Sequence, residues 1–201
     1  MPTTPLTTLV IDRQPSALRP LATDVFGHDH SSADARYALA IENKSDPIGR
    51  RLLFHFSAAL PFRAAPESPC GTFQAELWRH DCAEFFLLNP ANDRYVEFNV
   101  SPTGAWWAAS FTAPRQQEAE QHFQNVDCST TTLNEDKLWA IEFSLPASDI
   151  EAVLGAPLEA LCGNVTAILQ SPDQIFLTAA RLGGNQPDFH LPHAWLPVVI
   201  A

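Results

Sequence analysis

The sequence has few basic residues and no basic patch. Lys and Arg number 12 against 23 Asp and Glu, so the formal net charge is −11. Arg50 and Arg51 form the one adjacent basic pair. A surface of this charge repels the phosphates of nucleic acids and of anionic membranes, and we expect neither as a partner. A small neutral ligand suits the charge better.

Long apolar runs and a secretory leader are also missing. No run approaches the ~20 apolar residues of a membrane-spanning helix, and residues 1–10 lack the basic and apolar segments of a signal peptide. The four cysteines, Cys70, Cys82, Cys128 and Cys162, include no CxxC pair. We therefore expect a cytoplasmic protein whose reduced thiols pack as small buried side chains.

Signatures of common catalytic sites are absent as well. The sequence contains no G-x-S-x-G, P-loop, G-x-G-x-x-G or H-E-x-x-H pattern. Asp81 and Glu84 could imitate a glycosidase pair, but a spacing of three on a strand sends the two side chains to opposite faces. The single methionine is Met1, which disfavours ligation of haem iron by methionine and histidine and leaves two histidines open. We expect no enzymatic activity.

Glycine is scarce and proline is abundant, with 8 and 17 residues respectively. Proline cannot donate to a sheet and is found at strand ends and edges, so this balance favours many short strands. Apolar residues alternate with a period of two, which predicts strands at 36–42, 51–56, 82–88, 95–100, 137–145 and 163–169. In 95–100 we expect Tyr95, Glu97 and Asn99 to face outward. Segment 82–88 is apolar on both faces except for Glu84, which indicates a central strand.

One short helix is predicted near 149–154. Ser148 to Glu151 has the form of a capping box, and the following apolar stripe ends at Gly155. Residues 116–124 are polar and are interpreted as a helical turn or a surface loop. The spacing of the strands is that of an all-β sandwich of two mainly antiparallel sheets, not of βαβ units. No linker divides the chain, so one domain is expected over residues 1–201.

Three stretches together resemble the DOMON-like domains related to family 9 carbohydrate-binding modules. They read LWRHDCAEFFL at 77–87, YVEFNVSPTGAW at 95–106 and PDFHLPH at 187–193. The resemblance covers roughly residues 35–195. It implies a two-sheet, immunoglobulin-like or jelly-roll sandwich, and non-catalytic binding of sugars in most branches and of haem in some. Relatives also carry structural calcium, so calcium stays open here, although no ligand set can be named.

The resemblance also implies a sugar site. In the sugar-binding relatives a tryptophan stacks on the sugar and a glutamate six residues later binds its hydroxyls, which corresponds to Trp78 and Glu84. This chemistry is sound, because a pyranose has an apolar face and a rim of hydroxyls. In the relatives, a second tryptophan on a late strand closes the site. The corresponding strand in this chain, residues 174–180, offers only Phe176. Trp106 and Trp107 point to opposite faces of a strand, so one is expected in the core and the other is a candidate contact.

Each candidate also has a simpler interpretation. Trp78 could pack at a sheet edge. Glu84 needs a partner in an apolar strand, which could be Arg79, Arg94, Arg115 or Arg181. The chain could then be an interaction domain that has lost its sugar site and binds a protein partner, or a haem or other cofactor binder.

Two histidine pairs complete the set of candidates. His28 and His30, near Asp24 and Asp34, have metal-ligand content, but histidines two apart share a metal only in an extended segment. We expect a solvated loop there and predict no metal site. His190 and His193, in the closing motif, are interpreted as a structural pair, and His190 is expected to hydrogen-bond backbone and hold the last segment in place.

Overall fold

The computed structural model describes residues 6–14, 18–43, 49–133 and 138–201. Met1 and Lys137, which entered the predictions above, lie outside this set. In the described residues the strands are β1 (Leu9–Asp12), β2 (Arg19–Pro20), β3 (Arg36–Asn43), β4 (Arg50–Ala58), β5 (Cys82–Asn89), β6 (Arg94–Val100), β7 (Trp106–Ala113), β8 (Gln116–Glu120), β9 (Asp127–Leu133), β10 (Leu138–Pro146), β11 (Cys162–Leu169), β12 (Ile175–Thr178) and β13 (Leu196–Ile200). The all-β prediction is confirmed.

Every segment predicted from alternation contains a strand. These segments are β3, β4, β5, β6, β10 and β11 in the structure, with ends that differ by one or two residues. The interpretation of 116–124 was wrong for 116–120, which form β8, whereas 121–124 are irregular. All five side chains of β8 are exposed, so the strand has no apolar face and gives no alternating pattern.

The helix α1 (Ala147–Leu154) follows β10 directly. It ends as predicted at Gly155, whose φ of 70° is left-handed. The capping box does not form, because the Glu151 carboxylate accepts the backbone N–H of Leu158 instead, at 3.1 Å. No helix in the described part of the chain has the length and apolar character needed to cross a membrane.

Hydrogen bonding links the strands in the order β8-β7-β6-β5-β11-β13-β1-β3-β4-β10-β9, with β12 on β11 and β2 on β3. Pairing is antiparallel except that β1 lies parallel to both β13 and β3. The prediction of two separate sheets is not confirmed, because β13 joins the halves. It pairs with β1 on one side and, through Pro197 and Leu196, with Cys162 and Gly163 of β11 on the other.

The two halves of the sheet contact each other through aromatic side chains. Phe85 on β5 lies 4.9 Å from Phe54 on β4, and Phe98 on β6 lies 6.1 Å from Phe143 on β10, as ring centroid distances. These strands are not neighbours in the hydrogen-bonding order. The sheet therefore curls until its inner faces meet, and the apolar side chains of β4, β5, β6 and β10 form the core.

The outer face of β6 is buried too, contrary to the expectation that it faces solvent. Tyr95, Glu97 and Asn99 are all at most 5% exposed. The closing segment, residues 187–195, covers the Tyr95 end of this face, with the Trp195 ring 5.2 Å from Tyr95 and 5.1 Å from Phe86. Alternation indicates which side chains share a face, and it does not show whether a distant segment covers that face.

The cysteines are less buried than expected. Cys82 is buried, Cys70 is exposed, and Cys128 and Cys162 are half-buried, all as free thiols. Burial of the Cys82 thiol raises its pKa well above the ordinary value, so this sulfur is a packing group.

Replacing Gly163 with alanine is expected to lower the free energy of unfolding. A Cβ on Gly163 would lie 2.5 Å from the carbonyl oxygen of Phe86 and 2.9 Å from Leu9 Cδ2, and relieving such overpacking typically costs about 1–3 kcal/mol. Urea unfolding measures the change. The half-buried neighbour Cys162→Ala is the control, with little change expected, and equal midpoints for both variants would contradict the prediction.

Candidate functional site

The strand register assembles a cleft floor on the outer face of β12, β11, β5, β6 and β7. One row of residues crosses these five strands, and each member is directly paired with the next. The row is Thr178, Thr166, Glu84, Asn99 and Trp107. Directly paired residues share a face of the sheet. One row of the floor is therefore polar in the middle and ends in an indole.

A second row lies two residues along each strand. Its members are paired in the same way across β11, β5, β6 and β7, and they are Asn164, Phe86, Glu97 and Ala109. Because side chains alternate with a period of two, this row is on the same face as the first. Glu97 is thus a diagonal neighbour of Glu84, and two acidic side chains lie together on the floor.

The cleft over this floor has a volume of about 660 Å³. That is within the ~300–1,000 Å³ typical of small-molecule sites. Its lining includes Trp78, Glu84, Glu97, Trp107, Phe176 and His190. Four of the five side chains predicted for a ligand site are in this set, and Glu97 and His190 are additional.

Trp78 and Trp107 form an aromatic wall. Trp78 lies in a short 3-10 turn, Leu77–Arg79, just before β5, and is 36% exposed. Its ring centroid is 5.2 Å from that of Trp107, with the planes at 58°. Trp107 is almost fully buried, and its indole N–H donates to Glu120 at 2.9 Å. Trp78 is therefore the indole that presents open surface to the cleft.

Trp106 does not line the cleft and is removed from the candidate residues. It points to the core side of β7, where its ring lies 5.8 Å from Phe143 and 5.0 Å from Phe73. Its indole N–H donates to the carbonyl of Gly71 at 3.3 Å. The sequence showed that Trp106 and Trp107 diverge, and the packing of the sheet decides which one is in the core.

Glu84 is fully buried and has no arginine partner among the described residues. Its Oε2 accepts the Thr166 hydroxyl at 2.7 Å, and its Oε1 accepts the Cys82 thiol at 3.5 Å. Three of the arginines suggested as partners form ion pairs with other carboxylates. These pairs are Arg79 with Glu76, Arg94 with Glu118, and Arg115 with Asp188. Burial raises the pKa of Glu84 to about 7.

Glu97 is the second buried carboxyl group of the floor. It accepts one hydrogen bond, from the Asn99 amide at 2.9 Å. Burial and, after it, the charge of Glu84 raise the pKa of Glu97 to about 8. Two carboxyl groups this close do not both ionise readily. Near neutral pH the floor therefore holds a protonated carboxyl group, which can donate a hydrogen bond to a ligand, beside groups that accept.

His190 closes the cleft beside Glu97. Its Nδ1 lies 2.7 Å from the Tyr95 hydroxyl, which also accepts the backbone N–H of Arg115. When the Tyr95 hydroxyl donates to Nδ1, the ring proton is on Nε2, which lies 3.6 Å from Glu97. Burial lowers the pKa of His190 to about 4, which keeps the ring neutral. The expected bond to backbone was wrong, because the ring binds a side chain.

Asp81, the other half of the considered acid–base pair, does not reach the cleft. It precedes β5 and accepts the backbone N–H groups of Gln170 and Ser171 at 3.0 and 2.7 Å. Asp81 thereby holds the turn between β11 and β12. Its carboxylate is a structural group.

Comparison with protein-family models found no match, and no curated protein matched the chain. The DOMON or family 9 resemblance is therefore not confirmed. Among solved structures, one from Bacteroides uniformis ATCC 8492, described as a "putative carbohydrate-binding protein", superposes with a TM-score of 0.70. The match covers 97% of this chain and 99% of the other, at 15% identity. The two chains share a fold.

Proposed function

We propose that this chain is a non-catalytic module that binds a carbohydrate in the cleft over β5 and β6. The observation that carries the proposal is the half-exposed indole of Trp78 at a concavity whose floor holds two buried carboxyl groups. The description of the structural neighbour as carbohydrate-binding supports the same class of ligand.

The cleft has the two kinds of surface that a sugar needs. The apolar face of a pyranose stacks on an open indole, which Trp78 offers, with Trp107 supporting it from behind. Phe176 on β12 lines the same cleft and takes the position of the second aromatic clamp. A cleft with one open indole and one phenyl ring suits a single stacked sugar ring better than two parallel stacks.

The floor groups suit the hydroxyls. A sugar hydroxyl both donates and accepts, and the floor combines an acceptor carboxylate, a protonated carboxyl group and the Nε2–H of neutral His190. A bound hydroxyl would satisfy the spare acceptor capacity of Glu84 and Glu97, which otherwise have one or two protein partners each. A buried polar group without a hydrogen-bond partner is energetically costly, so a ligand hydroxyl that supplies the missing bond is favoured.

The placement of the carboxyl groups favours binding over hydrolysis. Glycosidases flank the scissile bond with an acid and a nucleophile or base. Glu84 and Glu97 are on neighbouring strands of one sheet face, so both approach a ligand from the same side. We expect no release of reducing sugar from disaccharides or aryl glycosides.

Calorimetric titration with a panel of neutral mono- and disaccharides tests the proposal. We expect at least one sugar to bind, and Trp78→Ala to weaken it about tenfold, since an aromatic stack contributes roughly 1 kcal/mol or more beyond area burial. Leu133→Ala on β9 is the matched control, because Leu133 is an exposed apolar side chain outside the cleft.

The proposal would be overturned if no sugar in the panel binds and Trp78→Ala is indistinguishable from the wild type in every assay. That outcome would favour a protein-interaction domain that kept the fold without the sugar site. A Soret band in the purified protein would instead identify a haem binder.

A further inference from the structure

The segment around His28 is exposed at residues 26–29, as expected for a solvated loop, but it is also held as a bridged hairpin. Thr23 and Asp29 form an antiparallel bridge. The N–H of Asp24 donates to the His28 carbonyl at 3.1 Å, and that of His30 to Ala22 at 2.7 Å. His28 and His30 are thus two apart on an extended stretch, which is the condition for histidines at this spacing to share a metal.

The hairpin brings three metal-ligand atoms together. Asp24 Oδ2 lies 3.1 Å from His28 Nδ1 and 2.9 Å from His30 Nε2, and all three atoms are within 4.8 Å of one another. Asp34, also considered from the sequence, pairs with Arg36 instead. The cluster is separate from the carbohydrate cleft, whose lining contains none of its members.

Asp24 is oriented by the backbone. It is 93% buried, and its Oδ1 accepts the N–H groups of Phe26 and His28, both at 2.9 Å. The other carboxylate oxygen, Oδ2, is aimed at the two imidazoles. Such hydrogen bonds to a ligating carboxylate are typical of metal sites.

The spacing and the donor types select the metal. Bonds of ~2.0–2.1 Å in a tetrahedral site separate ligand atoms by about 3.3 Å, a few tenths of an ångström from the two short distances observed here. Two imidazole nitrogens and one carboxylate oxygen suit Zn²⁺ and its neighbours, whereas Ca²⁺ and Mg²⁺ prefer oxygen ligands. The His28 side chain is 73% exposed, so solvent can supply a fourth ligand.

We infer that Asp24, His28 and His30 form a zinc site. Without metal, the ring N–H groups of both histidines donate to Asp24 Oδ2. With Zn²⁺, those nitrogens bind the metal by their lone pairs and the ring protons move to the opposite nitrogens. The metal would close the hairpin, which is attached to β12 by the bonds from Val25 N–H to Phe176 and from Thr178 N–H to Thr23.

Titration of the untagged full-length protein with Zn²⁺, and with Co²⁺ followed by visible absorption, tests this inference. We expect one Zn²⁺ per chain, an intense Co²⁺ spectrum of tetrahedral type, and no comparable binding of Ca²⁺ or Mg²⁺. His28→Ala and His30→Ala should each weaken Zn²⁺ binding by about tenfold or more, since each removes one of three protein ligands.

His193→Ala is the control, because His193 is exposed and distant from the hairpin in the chain. His28→Ala is the safer of the two variants, since its ring is at the surface. Equal Zn²⁺ affinity in the wild type and in both hairpin variants would overturn the inference, as would the absence of Zn²⁺ binding. Neither result would bear on sugar binding in the cleft.

Discussion

Glu84→Gln is expected to make the folded protein more stable at pH 8 while it weakens ligand binding. The pKa of Glu84 is about 7, above its ordinary value of 4.5, so ionisation opposes folding. Removing the charge also removes its electrostatic repulsion of the Glu97 carboxylate, which raises the pKa of Glu97 in part. One pKa unit corresponds to ~1.4 kcal/mol, and after allowing for the buried amide we expect a gain of about 2 kcal/mol.

The sign of the pH dependence follows from proton binding. Between pH 4.5 and about 8 the folded protein holds protons on Glu84 and Glu97 that the unfolded chain has released. The stability of the wild type therefore falls as the pH rises through this interval. His190, with its pKa lowered from 6.5 to about 4, acts in the opposite direction below pH 6.5. The carboxyl effect is thus clearest between pH 6.5 and 8.

Urea unfolding of wild type and Glu84→Gln at pH 6.5, 7.5 and 8.5 provides the measurement. The difference between the two proteins should grow with pH. Glu142→Gln is the matched control, because Glu142 is on the exposed side of β10, and its stability should parallel the wild type. A variant less stable than the wild type at every pH would show that the carboxylate is not strained by burial.

Phe85→Ala is expected to lower the free energy of unfolding by about 3–5 kcal/mol, the usual effect of truncating a buried phenylalanine. Phe85 has no exposed surface. Its ring stacks on Phe98 at 4.3 Å and contacts Phe54 and Phe143 at 4.9 and 6.2 Å. These three rings come from β6, β4 and β10, so the cavity would open where the two halves of the sheet meet.

Thermal and urea unfolding of Phe85→Ala should show a cooperative transition at a much lower midpoint. Phe26→Ala is the matched control, since Phe26 is 45% exposed and its truncation should change stability by less than about 0.5 kcal/mol. Similar losses in both variants would mean that the halves of the sheet do not depend on this aromatic contact.

The sequence by itself determined six of the strands, the all-β class and the central candidates for the cleft. Alternation with a period of two is a local property, so β3, β4, β5, β6, β10 and β11 could be identified without any partner. Glu84 could be singled out for the same reason, as one carboxyl group in an otherwise apolar strand. Trp78 followed from the resemblance, and both side chains line one cleft.

The tertiary structure alone decided what depends on contacts between distant segments. The register of β5 with β6 brings Glu97 beside Glu84, and the closing segment covers Tyr95 and carries His190 to the cleft. The curl of the sheet places Trp106 in the core and leaves Trp107 in the cleft. Strand pairing and side-chain packing bring together residues that are far apart in the chain. A local sequence pattern does not show which distant residue a side chain will contact.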